Sequence, residues 1–299
     1  MTIIAVSGGK GGTGKTTIAV NISLILSRVR GHKTLLVDLD VDNPCTYTLL
    51  GVSLREVVHV KSFKPEIDEL KCTLCGECTR YCPTHALVLI ADKLLLLSSL
   101  CEGCAACLYV CPTSAIKEGR KVIGWIKEAG KGVLDVIVGE AKPGERKTDD
   151  VMEKTLKYAL KKLQPYDYVI IDTPPGTSRG IYEALKASDI IVLVTEPTRL
   201  GLTDLKRLYS LTRGIGRPII VAVNKYGLKG GSYRELEDFL SREDLPSVFI
   251  PYDNSLLRSY IRGECVIEQQ PQAPSAQSLL QLADKINEIE IKIKKKGLF

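Results

Sequence analysis

Apolar residues fall into short unbroken runs along this chain: "TIIAVS" near the start, then "KTLLVDLD", "LDVIVG", "YDYVIIDTPP", "DIIVLVTEP", "PIIVAVNK" and "SVFIPYD". Runs without in-and-out alternation read as strands buried on both faces. Between them apolar residues recur at helical spacing, as in "KTTIAVNISLILSRV", residues 151–163 and residues 202–212. Strands alternating with helices predict an α/β fold with a mostly parallel sheet covered by helices on both faces. Near the end, Leu279, Leu282, Ala283, Ile286, Ile289 and Ile293 line up as one face of a closing helix that packs on the sheet.

The rhythm stops between Phe63 and Arg120. There "CTLCGECTRYCPTHAL" is followed 29 residues later by "CEGCAACLYVCPTSAI", an internal repeat too regular for accident. The expected organisation is a discontinuous α/β domain, residues 1–62 and 121–299, with a small two-fold module inserted at 63–120.

Composition narrows the setting. The length of 299 residues with 44% hydrophobic content is ordinary for a globular protein. No stretch approaches a membrane span, and "MTIIAVSGG" lacks the layout of a signal peptide, so a cytoplasmic protein is expected. Thiols stay reduced in that compartment. Ten cysteines, eight of them between Cys72 and Cys111, therefore point to metal rather than disulfides. The net charge of +6 is modest and partly concentrated in the tail "KIKKKGLF", which reads as a solvated helix end. No nucleic-acid partner is expected from it, and a membrane-surface contact is the weaker alternative.

The chemistry begins at "VSGGKGGTGKTT". Gly9, Lys10, Gly11, Gly12, Thr13, Gly14, Lys15 and Thr16 fit a phosphate-binding loop between a strand and a helix. Its glycines let backbone N–H groups face phosphate oxygens, and the helix aims its positive end at the same place. Lys15 is expected to reach the β and γ phosphates, Thr16 to ligate magnesium, and Thr17 to bond the α phosphate. Two strand ends bring carboxylates to the same crevice. Asp172 suits the magnesium ion through water, and Asp40 suits orienting the attacking water, with Asp42 as its substitute. Asp38 is equally a helix cap.

Cys72, Cys75, Cys78 and Cys82 follow C-x2-C-x2-C-x3-C-P, and Cys101, Cys104, Cys107 and Cys111 repeat it. That is the bacterial ferredoxin run for two 4Fe-4S clusters, in which the fourth cysteine serves the other cluster. The expected sets are Cys72, Cys75, Cys78 with Cys111, and Cys101, Cys104, Cys107 with Cys82. Zinc also takes CxxC pairs, but it seldom needs the third cysteine and the CP ending. Cys45 and Cys265 lie outside the pattern and read as small apolar residues.

With "KGGTGKTT", "LLVDLDVD", "VIIDTPPGT" and "VAVNK" in this order, the chain resembles the MinD/ParA group of deviant P-loop ATPases, and in particular those with an inserted ferredoxin domain. The resemblance implies ATP hydrolysis with magnesium in a homodimer. It implies that Lys10 crosses the dimer interface to the partner's nucleotide. It also implies that Asn224, with Pro251 to Asp253, holds adenine. The implied function is nucleotide-gated electron transfer to a redox partner. An ATP-dependent iron-sulfur carrier is the alternative, weakened because no CxxC follows Cys111. A membrane-associated positioning ATPase is the third reading.

Overall fold

The computed structural model describes residues 1–295; the last four residues of the basic tail, on which the membrane reading partly rests, lie outside the described residues. The strands are β1 (Thr2–Ser7), β2 (Thr34–Asp38), β3 (Arg55–Ile67), β4 (Leu87–Ile90), β5 (Lys93–Leu96), β6 (Ile116–Lys131), β7 (Leu134–Ala141), β8 (Tyr168–Asp172), β9 (Ile190–Thr195), β10 (Ile219–Tyr226) and β11 (Ser247–Pro251). Nine of them form one sheet in the order β11-β10-β9-β1-β8-β2-β7-β6-β3, while β4 and β5 form a separate hairpin. From β11 to β7 every pairing is parallel; β6 and β3 are added antiparallel at one edge.

Both faces of the parallel part of the sheet are buried, which is why its strands need no polar side. In β1, Ile4 and Val6 join the core formed with α1 (Lys15–Leu24) and the closing helix Pro274–Lys295, whereas Ile3 and Ala5 join the opposite core. That second core is built on α5 (Thr148–Leu160), α6 (Arg179–Ala187) and α7 (Arg199–Arg213), after the short helices α2 (Thr46–Leu50), α3 (Glu77–Arg80) and α4 (Ala106–Val110). Full burial of each such aliphatic side chain stabilises by about 1.5–3 kcal/mol. The expected closing face is confirmed: Leu279, Leu282, Ala283 and Ile286 are all but sealed from solvent.

The cysteine-rich segment is not hung on a linker. β3 and β6 run out of the main sheet as a continuous antiparallel ribbon, paired from Arg55↔Glu128 to Ile67↔Ile116. The expected boundaries at 62/63 and 120/121 fall inside these strands, where Ser62 pairs Lys121 and Phe63 pairs Arg120. Beyond them lies a small lobe of α3, α4 and the β4–β5 hairpin, with its own apolar cluster that includes Cys78, Leu87, Cys107 and Ile116.

Candidate functional site

The loop after β1 meets the C-terminal ends of β2 and β8, strands whose last residues Asp38 and Asp172 are register partners. Gly14 caps α1 in a left-handed conformation and supplies no side-chain acceptor, so the first N–H groups of the helix stay available to an anion. A Cβ at Gly14 would lie 2.2 Å from the Asn224 amide nitrogen. Only glycine fits there, on both conformational and steric grounds. At Gly11 a Cβ would meet nothing within 4 Å, so the mouth of the loop is open.

Lys15 is buried, and its ammonium donates to the Lys10 carbonyl at 3.2 Å. Burial lowers its pKa, against the pull of Asp172 and Asp40. The two strand-end carboxylates differ sharply. Asp38 accepts from the Thr46 hydroxyl at 2.8 Å and from the N–H groups of Asp40, Cys45 and Thr46 at 3.0–3.1 Å, which makes it the brace of the loop leading into α2. Burial still pushes its pKa up to about 6. Asp172 is equally sealed, yet neither of its oxygens has a hydrogen-bond partner. The Thr16 hydroxyl is near enough to bias it downward without bonding geometry, but burial and the charge of Asp38 hold its pKa well above the ordinary range. An unpaired buried carboxylate facing a hydroxyl is costly unless a cation completes it. Asp40 is half-buried and close enough to Lys15 for that charge to offset part of its burial-driven rise, whereas Asp42 is exposed. Of the two, the fold brings Asp40 to the site.

Lys10 does not extend into solvent. Its ammonium is 2.5 Å from Glu196, which follows β9 and also pairs with Lys225 at 3.1 Å. Lys225 in turn donates to the Gly12 carbonyl at 2.7 Å. Glu196 thus ties the second lysine of the loop to the end of β10; both Glu196 and Lys225 escaped the sequence reading. Asn224 braces the loop as well: its amide donates to the Thr13 carbonyl at 2.8 Å and accepts from the Lys225 N–H at 2.9 Å. Asp253 caps α9 (Asn254–Ile261) through Ser255, and its second oxygen takes the Ser275 hydroxyl and N–H. Pro251 pairs with Tyr226 in the sheet. Cys45, read as a plain apolar residue, lies beside this site. Burial, then the charges of Asp38 and Asp172, push its thiol up to about 11, with the nearby Thr16 hydroxyl acting the other way. Cys265 is buried and donates to the Leu49 carbonyl.

In the lobe, the eight cysteines of the repeat line two cavities. One is bordered by Cys72, Cys75, Cys78 and Cys111; the other by Cys101, Cys104, Cys107 and Cys82. In each half the fourth thiol accepts a backbone N–H at 3.2 Å, Ala86 to Cys82 and Ala115 to Cys111. Burial opposes ionisation of these two, but the N–H and threonine hydroxyl donors around them prevail and lower both pKa values. Cys107 moves the other way: burial first, then neighbouring thiols, push it up to about 11. Among the described residues no three His, Cys, Asp or Glu side chains are gathered closely enough to hold one metal ion.

The model of the CobQ/CobB/MinD/ParA nucleotide binding domain matches residues 4–267. An uncharacterised protein of Methanocaldococcus jannaschii, MJ0579, is 33% identical over 278 residues, covering 90% of this chain and 92% of its own. A second protein of that organism, the uncharacterised ATP-binding protein MJ0169, is 25% identical over 99% of this chain and 94% of its own. Among solved structures, the cell division ATPase MinD of Pyrococcus furiosus shares the fold at a TM-score of 0.62 and 20% identity, covering 96% of this chain and 99% of that one. The septum site-determining protein MinD of Pyrococcus horikoshii, complexed with Mg-ADP, gives a TM-score of 0.62 at 21% identity over 97% of both chains. The fold, the phosphate loop and the matched length agree: this chain belongs to the CobQ/CobB/MinD/ParA nucleotide-binding family and is a P-loop ATPase of the MinD/ParA type.

Proposed function

We propose that the protein is a homodimeric MgATP-hydrolysing iron-sulfur protein that couples nucleotide state to electron transfer toward a redox partner. The observation that carries this reading is the crossed sorting of the cysteines. Each cavity is lined by three thiols of one half of the repeat and the fourth thiol of the other half. That sorting is what two 4Fe-4S clusters require, because each thiolate binds a different iron. Zinc sites seldom need the third cysteine at the same interval and the CP ending that both halves of the repeat carry. When bound, such clusters supply one-electron transfer; the protein's part is to hold them and to donate N–H groups to the ligating sulfurs.

In the nucleotide site, Thr16 and the unpartnered Asp172 are the residues suited to Mg2+, Asp172 through water. Lys15 and the N–H groups at the start of α1 take the phosphates, and Asp40 orients the attacking water. Asn224 shapes the loop, and Pro251 to Asp253 offer adenine their backbone, since the Asp253 carboxylate is occupied. Lys10 leaves Glu196 to reach the nucleotide of the second subunit. The test is iron and acid-labile sulfide analysis of anaerobically purified protein, followed by EPR of the reduced protein with and without MgATP. Close to eight irons per chain and a nucleotide-dependent cluster signal are expected from two 4Fe-4S groups. A colourless protein that takes up only zinc defeats the redox part and leaves the ATPase untouched.

A further inference from the structure

Residues 139–150, "GEAKPGERKTDD", have no partner in the phosphate-loop chemistry, yet they stand between the two halves of the molecule. Glu145 fixes the turn, pairing with Lys121 of β6 at 3.1 Å and accepting the Lys147 N–H at 3.2 Å. Lys147, at the start of α5, is nearly buried, its side chain 11% exposed. Its ammonium donates to the Ser62 hydroxyl of β3 at 2.7 Å and stands 3.7 Å from Asp150. A Cβ on Gly103 would lie 2.8 Å from that ammonium and 2.7 Å from the Phe63 carbonyl. Gly103 lies between Cys101 and Cys104 and borders their cavity.

The internal repeat supplies its own control. The counterpart of Gly103 in the first half is Leu74, with the same left-handed backbone, φ 56° against 62°. Leu74 is 37% exposed and meets solvent where Gly103 meets Lys147. The two cysteine loops share a conformation and differ in what is docked on them.

The end of this segment is tied to the start of α6, after the loop that follows Asp172. Asp149 accepts the Ser178 hydroxyl at 2.6 Å and the Gly180 N–H at 3.2 Å, and Arg179 pairs with Asp150 and Glu153. Ser178 and Arg179 end the loop that leaves Asp172 and begin α6.

We propose that Lys147 is a positioning residue that anchors the Cys101–Cys104 loop to the ATPase core and sets the reduction potential of the group held by Cys82, Cys101, Cys104 and Cys107. This rests on the iron-sulfur reading above. A nearly buried cation beside a centre that gains an electron favours the reduced form, and its effect weakens with distance, so one centre responds and its twin does not. Through Asp149 the same anchor is tied to the loop after Asp172, so nucleotide state reaches that centre first.

The experiment is an EPR-monitored redox titration of the anaerobic full-length protein, wild type against K147M, K147R and D149N, each with and without MgATP. K147M is expected to lower the midpoint of one centre and leave the other in place, and K147R to restore it. Hydrogen exchange over residues 101–107 is expected to rise in K147M. D149N is expected to keep both midpoints while losing the MgATP dependence of the responsive centre. Unmoved midpoints in K147M, or equal shifts of both, overturn the proposal with the clusters intact. A wild-type protein without iron or EPR signal overturns the iron-sulfur reading itself, and the proposal with it.

Discussion

Replacing Asp172 with asparagine tests the description of the nucleotide site most directly. In the ligand-free protein Asp172 and Asp38 end adjacent parallel strands, are fully buried, and face each other with no donor for Asp172. Neighbouring strands stand about 5 Å apart, and two like charges at that distance repel by about 3 kcal/mol at an effective dielectric of 20. Burial raises both carboxyls, Asp38 to about 6 and Asp172 well above the ordinary range, and at Asp172 the charge of Asp38 adds to it. For a carboxyl raised by folding, the penalty is absent below the unfolded pKa, grows between the unfolded and folded values, and is fully present above the folded one. D172N is therefore expected to stabilise the ligand-free protein by about 2–3 kcal/mol at pH 7.5, roughly 5 °C in Tm for a chain of this size. The gain is expected to shrink as pH falls through 6 toward 4. The further rise in Tm that MgADP gives the wild type is expected to vanish, because the variant lacks the charge that a cation completes. Thermal melts across this pH range, with and without MgADP, measure all three. A D172N protein that melts lower than wild type without nucleotide, or that keeps its MgADP shift, refutes the reasoning.

Three further outcomes follow from the site and its supports. K10A is expected to bind nucleotide with near wild-type affinity but to fail in ATP-dependent dimerisation, read by light scattering; E196Q, which loosens the contact holding Lys10, is expected to dimerise at lower ATP. C111S and C107S, which remove a thiol from different cavities, are each expected, on the iron-sulfur proposal, to lose about half of the iron found in wild type, and the double variant nearly all of it. Glu290 is buried at the far end of the sheet, where it accepts the Thr2 and Tyr168 hydroxyls and pairs with Lys294. E290A leaves those groups unsatisfied and is expected to cost about 2–3 kcal/mol in denaturant melts without changing iron content or nucleotide affinity.

The parallel strands were legible because each is buried on both faces, so its sequence carries no polar alternation to blur the signal. β3, "REVVHVKSFKPEI", is the opposite case: it forms the sheet edge and then a half-exposed ribbon, and its charges hide it. Lys15, Thr16 and Asp172 were legible because the loop motif and the strand-end position each fix a side chain's place. Glu196 had the same signal as Asp172, a carboxylate directly after an apolar run. It went unread because its role depends on Lys10 and Lys225, which the fold brings from two other strand ends. Residue type alone showed neither that Asn224 braces Thr13 nor that Cys45 lies beside the site while Cys265 sits in the core.

The way the lobe is attached decides what the ATPase core can do to it. A linker would absorb movement; a strand ribbon passes it on. The support of β7 reaches β6 as far as Gly124, which pairs with Ala141, and there the β3–β6 register shifts between Val60 and Lys61. A bulge at that point adds twist and turns the ribbon away from the sheet. Just beyond it three contacts tie the ribbon to the core: Lys121 with Glu145, Ser62 with Lys147, and the Lys61 carbonyl with Lys154. Lys147 and Lys154 both belong to the first half of α5 or its cap, the part that Asp149 and Asp150 join to the loop after Asp172. Any displacement of α5 against the sheet must therefore either break these contacts or turn the ribbon about its bulge.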